Sequence, residues 1–337
     1  MAGPVRARTN RRHHGSPTVA PAWSVLVWVA LAASCAAPRE LLESLPAERR
    51  GDEIVACGRM FHTGTRVVLW SDPGGYDAYQ ETTFFPDELR GKDPQVGPRF
   101  GQRRGLAGGR LEDLRRQVDQ FVLHYDVCGT SRQCFKILHD HRKLSVHFLL
   151  DVDGTVYQTL DLRERAWHAT KANDRAVGVE IAHIGAYPRR EHRTLVEWYG
   201  HDAAGPFVRF PAWMKQTGVA AGFVGRPARP EIVRGTIQGQ DLWQYDFTVE
   251  QYEALARLTA TLATVIPAIR LDAPCDVEGA VRTDALDEAA FAAFHGVLGH
   301  YHVQTNKTDP GPAMDWQRLL GEARAQQASA LAAAPRP

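Results

Sequence analysis

The chain has 337 residues, 44% of them hydrophobic and 23% charged, and its 40 Lys+Arg against 39 Asp+Glu give a formal charge of +1. The ordinary apolar fraction excludes wholesale disorder, and near-neutrality argues against a nucleic-acid binder that relies on a whole-chain basic field. Five cysteines are too few for a disulfide scaffold, and an odd number leaves one to explain.

Residues 1–34 carry Arg6, Arg8, Arg11 and Arg12 and no acid, followed by an apolar run from Ala22 to Ala33. The run is too short to span a bilayer comfortably and has the length of a signal-peptide core. It ends in Leu31-Ala32-Ala33-Ser34-Cys35, which resembles a bacterial lipobox with Cys35 as the lipidated new N-terminus. A plain secretory signal cut near Ala36 is the alternative. Loss of four arginines and no acids takes the 40 basic residues to 36 against 39 acids, so the mature chain carries −3.

Residues 36–50 are charged and read as a tether, and Arg66–Trp70 reads as a short strand. Ser71–Gly109 is dominated by Gly, Pro and charge, which predicts mostly loop. Apolar residues at 111, 114 and 118 predict a helix over Leu111–Gln120, Phe121–Tyr125 a strand, and Ser131–His141 a short helix whose His139 and His141 are solvated. In Val146–Gln158 two apolar strands flank Asp153-Gly154, a two-residue turn signal in which both positions need positive φ. Ala176–Ile181 is another strand. Residues 186–246, rich in Gly, Pro and aromatics, read as an insertion with little regular structure. Thr248 and Gln251 form a capping box. It opens a helix with Tyr252, Leu255, Leu258, Leu262 and Val265 on one stripe, and Pro267 ends it. Residues 323–337, rich in Ala, Gln and Pro, read as a disordered tail. The pattern predicts one α/β or α+β domain around a central sheet.

His124 ends the strand Phe-Val-Leu-His; taken alone, such a histidine is more often a satisfied core or surface residue than a ligand. Glu180 lies in Val177-Gly-Val-Glu-Ile181, opposite in alternation to Val179 and Ile181. An unpaired buried carboxylate is costly, so it faces a cavity, a cation or solvent. The segment 299–312 offers His300, His302 and Asp309 with Lys307 close by. Two His and one Asp beside a non-ligating carboxylate are a standard set for catalytic zinc. Zinc brings the pKa of bound water towards about 7, and a lysine can stabilise a developing oxyanion.

Several motifs occur in order: Phe121-Val-Leu-His124, Ser145-Val-His-Phe148 with Asp153-Gly154 and Gln158, Ala166-Trp167-His168-Ala169, Asn173, Val177-Gly-Val-Glu180, and Gly299-His300 with Lys307-Thr-Asp-Pro-Gly-Pro312. Together they resemble the zinc N-acetylmuramoyl-L-alanine amidases related to phage lysozyme-amidases and animal peptidoglycan recognition proteins. The resemblance covers about residues 118–322. It implies an α/β fold, a mixed central sheet flanked by helices, in a single catalytic domain with insertions. It implies one zinc ion on His124, His300 and Asp309, Glu180 as general base and Lys307 stabilising the transition state. His300 and Asp309 are one residue closer than the family's intracellular members lead us to expect, which leaves His302 as a substitute ligand. His147, Trp167, His168 and Asn173 match positions near the substrate, although His147 reads equally well as a packed strand residue and an indole such as Trp167 is more often core than a binding platform. Cys128 and Cys134 match the disulfide of recognition proteins, whereas the sequence does not fix whether Cys57 and Cys275 pair.

The expectation is an exported enzyme, lipid-anchored through Cys35 in the bacterial envelope at the outer membrane facing the periplasm. It would act as a monomer, without nucleic acid, on the amide between N-acetylmuramic acid and L-Ala in peptidoglycan or muropeptides. Residues 1–34 would be the signal, 35–110 a tether and an extension packing on the core, and 111–322 the amidase domain. A non-catalytic peptidoglycan-binding protein and a zinc peptidase acting within the stem peptide are the alternatives.

Overall fold

The computed structural model describes residues 49–89, 93, 95–106 and 108–333. The predicted signal, Cys35 and all but the end of the predicted tether lie outside the described residues.

In chain order the strands are β1 (Glu53–Ala56), β2 (Arg59–His62), β3 (Val67–Leu69) and β4 (Phe100–Gln102). Next come β5 (Gln120–Tyr125), β6 (Phe148–Leu150), β7 (Val156–Gln158), β8 (Glu164–Ala166) and β9 (Ala176–Ile181). The insertion holds β10 (Tyr199–Asp202), β11 (Gly205–Val208), β12 (Val233–Ile237) and β13 (Gln240–Gln244), and β14 (Gly296–Gly299) closes the series. Six strands form a central sheet in the order β14-β5-β9-β6-β7-β3. All its pairs are parallel except β6–β7. The fold is α/β with a mixed central sheet. The extension before residue 111 supplies its edge strand β3, so the expected start of the domain cuts through the sheet.

Burial explains the composition of β5, Gln-Phe-Val-Leu-His-Tyr, which is buried throughout as expected of a parallel strand covered on both faces. Phe121 and Leu123 of β5, Val177, Val179 and Ile181 of β9, and Phe148 and Leu150 of β6 share one core. The helix Val249–Val265 seals this face with the predicted stripe, joined by Leu319 and Leu320 from the helix Trp316–Ala333. Each apolar side chain sealed there contributes about 1.5–3 kcal/mol. The capping box forms: Gln251 N–H donates to Thr248 Oγ1 (3.1 Å) and Thr248 N–H to Gln251 Oε1 (3.0 Å). Strand alternation sends His124, Leu149 and Glu180 to the opposite face, and the register sets Glu180 between His124 and Leu149.

The structure corrects several expectations. The β6–β7 connection is residues 151–155, with Leu150 opposite Val156, rather than a two-residue turn. Gly154 has φ +79° and Asp153 does not share the positive φ. The loop is longer because the Asp151 carboxylate turns away to accept the N–H groups of Ser131 (3.1 Å) and Val152 (2.9 Å). The insertion is not irregular: it contains a helix, Arg193–Trp198, and the hairpins β10–β11 and β12–β13. Its aromatics are strand and core residues, with Trp198 and Tyr199 buried. Residues 323–333 are not a disordered tail but continue the helix, with Ala323 fully buried and Arg324 paired to Asp272 (2.8 Å); Ala and Gln are good helix formers. The loop stretch 71–109 contains β4, paired with β8. The helix from Ser131 is α-helical to Phe135 and π-helical over Lys136–Arg142. His139 is not solvated: it is fully buried, 2.7 Å from Asp140 Oδ1 and 2.8 Å from the Gln80 carbonyl.

Candidate active site

Three elements that end at one edge of the sheet build the site. His124 comes from the carboxyl-terminal part of β5, and β14 beside it hands the chain to His300 in the turn His300–Val303. Asp309 returns on the following loop, with Tyr301 N–H donating to its carbonyl (3.1 Å). His124 Nδ1, His300 Nδ1 and Asp309 Oδ2 stand 2.9 Å from one another in all three pairs. All three residues are buried. His300 Nε2–H donates to Gln304 Oε1 (2.7 Å), which leaves Nδ1 with its lone pair facing the cluster. Two imidazole nitrogens and a carboxylate oxygen crowd a point where a single proton cannot satisfy all three. This donor chemistry fits a zinc ion. Burial, then the proximity of His300, lowers His124 to a pKa of about 4, so the ring is neutral as a ligand must be. Burial acts to raise Asp309, but the two imidazoles outweigh it and hold the carboxyl well below the usual range.

The cluster opens on a cavity of about 130 Å³ that Glu180, Lys307, His168 and Arg142 also line. Burial raises Glu180 well above an ordinary glutamate, and the negative charges of Asp309 and Asp126 add to the shift against Lys307 and Arg142. A positive charge at the three-donor cluster would oppose this shift. The sequence places Glu180 there by alternation alone, since Val179 and Ile181 claim the core face.

His302 is excluded from the cluster. Its Nδ1 accepts Gly299 N–H (2.9 Å), and its Nε2 lies 2.7 Å from the Arg282 carbonyl, so both nitrogens are occupied. Of the residues expected near substrate, His168 lines the cavity, with Nδ1 3.0 Å from His124 Nε2. Asn173 stands behind it, its Oδ1 accepting the N–H groups of His168 (3.1 Å) and Ala169 (2.7 Å). Trp167 is half-buried and its indole lies against Gly101 of β4. His147 does not reach the cavity. It is fully buried, with Nε2 3.0 Å from the Glu164 carbonyl and Nδ1 accepting Gly178 N–H (3.2 Å).

Cys128 and Cys134 line the same cavity as free thiols, not as the expected disulfide. Pinning of the loop after His124 falls instead to Asp126, whose Oδ1 accepts the N–H groups of Cys128 (2.8 Å), Gly129 (2.9 Å) and His183 (3.0 Å). Cys57 and Cys275 are free as well. Sequence reasoning missed Gln304, which orients His300 four residues away on the same turn. That i, i+4 spacing was the available signal. It also missed Arg103, a buried guanidinium that donates to the carbonyls of Leu162, Asn173, Asp174 and Ala176 behind the His168 loop. Nothing local in the sequence marks it.

Fold and cluster together define the class: an α/β protein with a three-donor, metal-type site at the carboxyl ends of parallel strands. More specifically, the chain belongs to the N-acetylmuramoyl-L-alanine amidase family, whose sequence model matches residues 114–312, more than half of its length. No curated protein matches it. Similar solved structures include a derivative of AmpD, at 18% identity over 67% of this chain and 90% of that one, TM-score 0.32. Another is AmiD from E. coli in complex with the substrate anhydro-N-acetylmuramic acid-L-Ala-D-gamma-Glu-L-Lys, at 17% identity over 61% and 57% of the two chains, TM-score 0.34. A third is a Drosophila PGRP-LB mutant in complex with tracheal cytotoxin, at 14% identity over 74% and 89%, TM-score 0.32.

Proposed function

We propose that the protein hydrolyses the amide between the lactyl group of N-acetylmuramic acid and L-Ala in peptidoglycan or muropeptides, with one zinc ion held by His124, His300 and Asp309. The observation that supports this most strongly is the convergence of three donor atoms at 2.9 Å in a cavity that also holds Glu180 and Lys307. When bound, zinc supplies Lewis-acid polarisation and a nucleophile active near neutral pH. Glu180 takes the proton of the attacking water and delivers it to the leaving amine of L-Ala. Lys307, on the ligand loop, offsets the negative charge that develops on the lactyl oxygen. His168 and Trp167 flank the muramyl side, and Asn173 keeps the His168 loop in place.

We further propose that residues 1–34 direct export and that lipid on Cys35 anchors a monomeric enzyme at the outer membrane facing the periplasm. The lipobox-like run Leu31–Cys35 supports this. The deciding experiment for the activity is mass spectrometry of purified muropeptides incubated with and without a chelator. Free stem peptide beginning at L-Ala, released only with metal present, is expected. Cleavage within the stem, or none, overturns the reading.

A further inference from the structure

The extension and the insertion flank the helical stretch Ser131–Arg142. There they bound a second groove of about 570 Å³, well inside the ~300–1,000 Å³ of ligand pockets. Asp87–Leu89 of the extension form one wall and Trp213–Gln216 of the insertion the other, with Arg132 and Lys136 on the floor between them.

Three observations give this groove a chemistry. Trp213 is 55% exposed, while the other exposed large apolar side chains among the described residues are all valines. It is held by an edge contact to the buried Trp198 (centroids 6.2 Å apart, planes at 72°), so it is a fixed platform rather than a loose loop residue. The two cations of the floor share one carboxylate, so most of the charge is paired. Glu88 pairs with Lys136 (2.7 Å) and with Arg132, and these partners, against its burial, bring its carboxyl down to about 2. Asp87 and Lys215 on the walls are of opposite sign. The lining sums to only +1, three cations against two acids, and such a largely paired groove with an aromatic face suits an uncharged polar ligand. Finally, the groove is continuous with the catalytic cavity: Ile137 borders both, and the consecutive residues His141 and Arg142 line one each.

We propose that this groove binds carbohydrate: the N-acetylated sugars of the glycan strand adjoining the muramyl residue whose stem peptide occupies the catalytic cavity. The axial C–H groups of a pyranose stack on the Trp213 face, and the Arg132–Glu88 pair and the Gln133 amide hydrogen-bond its hydroxyl and acetamido groups. The inference rests on the amidase reading for the identity of the strand, and it makes the enzyme prefer polymeric substrate to a single muramyl peptide.

Two measurements on the full chain test it. In the first, kcat/KM is compared for a single muramyl peptide and for strands of several disaccharides, in the parent and in Trp213→Ala. The variant is expected to lose about tenfold on strands relative to the single unit, through KM, and Trp213→Phe to recover part of that loss. An unchanged ratio, or equal losses on both substrates, overturns the proposal. In the second, chitotetraose, an uncharged oligomer of the same sugar chemistry, is titrated calorimetrically. Binding that Trp213→Ala removes and Trp213→Phe retains is expected, and no binding to the parent overturns the proposal. Failure of the parent to cleave the single muramyl peptide would count against the amidase reading alone, because the titration needs no hydrolysis.

Discussion

Gln244, at the end of β13, donates its Nε2–H to the carbonyl of Pro310 at 3.0 Å, directly after Asp309. The same amide accepts Ala313 N–H through Oε1 (3.0 Å), and Gln244 is fully buried. Gly311, at φ +85°, lies so close that an added Cβ would sit 2.1 Å from Gln244 Oε1. A hairpin of the insertion thus clamps the loop that presents Asp309. Gln244→Leu leaves two buried backbone groups unpaired, at about 1–3 kcal/mol. Zinc affinity is expected to fall about 10–100-fold, as for other residues that hold a ligand in place. Competition with a chelating dye measures it, and unchanged affinity would show that Asp309 needs no clamp.

Gly178 of β9 packs against His168, and a Cβ there would stand 2.4 Å from the imidazole. The strand backbone cannot give so much, so the ring must move. Gly178→Ala is therefore expected to push His168 out of the cavity and lower kcat at least tenfold. Muropeptide turnover, with circular dichroism to confirm the fold, checks this; full activity would place His168 outside the reaction.

Removal of the base should separate chemistry from metal binding. Glu180→Ala is expected to keep one zinc per chain and to lose about 10²–10⁴ in kcat. Metal analysis decides the role: zinc lost together with the carboxylate makes Glu180 a ligand.

His183, away from the site, gives a pH signature. Burial, opposed in part by the Tyr245 carbonyl, drives its pKa down to about 4, whereas the unfolded ring titrates near 6.5. Between those values the unfolded chain holds the extra proton. Stability is therefore full above about pH 6.5, falls as pH drops, and levels off below about 4 after a loss of up to about 3 kcal/mol from this residue. Urea titrations over this range should show a shallower acid limb for His183→Asn than for the parent. Parallel limbs would refute the assignment.

If lipid on Cys35 anchors the protein, Cys35→Ala is expected to move it from the membrane fraction to the soluble one, read by fractionation and immunoblot. Unchanged fractionation means that Cys35 carries no anchor.

The sequence was most readable where one local rule governed the outcome. The run Phe121–Tyr125 read as a strand and is one, alternation alone turned Glu180 away from the core, and Thr248 with Gln251 marked the start of the long helix. Legibility failed where the partner lies far away along the chain. Gln244 reaches Pro310 and Arg103 reaches Ala176 across many tens of residues, and neither carries a local signature. His139 reads as a solvated helix end until the carbonyl of Gln80 covers it. The clearest overreach was Asp153-Gly154: a strong turn signal gave way because Asp151 had other N–H groups to satisfy.

The neighbouring strands β5 and β14 have a consequence for timing. They pair in parallel, yet His124 and His300 are separated by most of the remaining chain. A ribosome or a translocation channel that has delivered only the first half of the protein releases a polypeptide with one of the three donor residues. Closure of so distant a pair is slow, and catalysis must wait for it. The three-donor site is thus kept incomplete by the topology until the loop that carries His300 and Asp309 has been made.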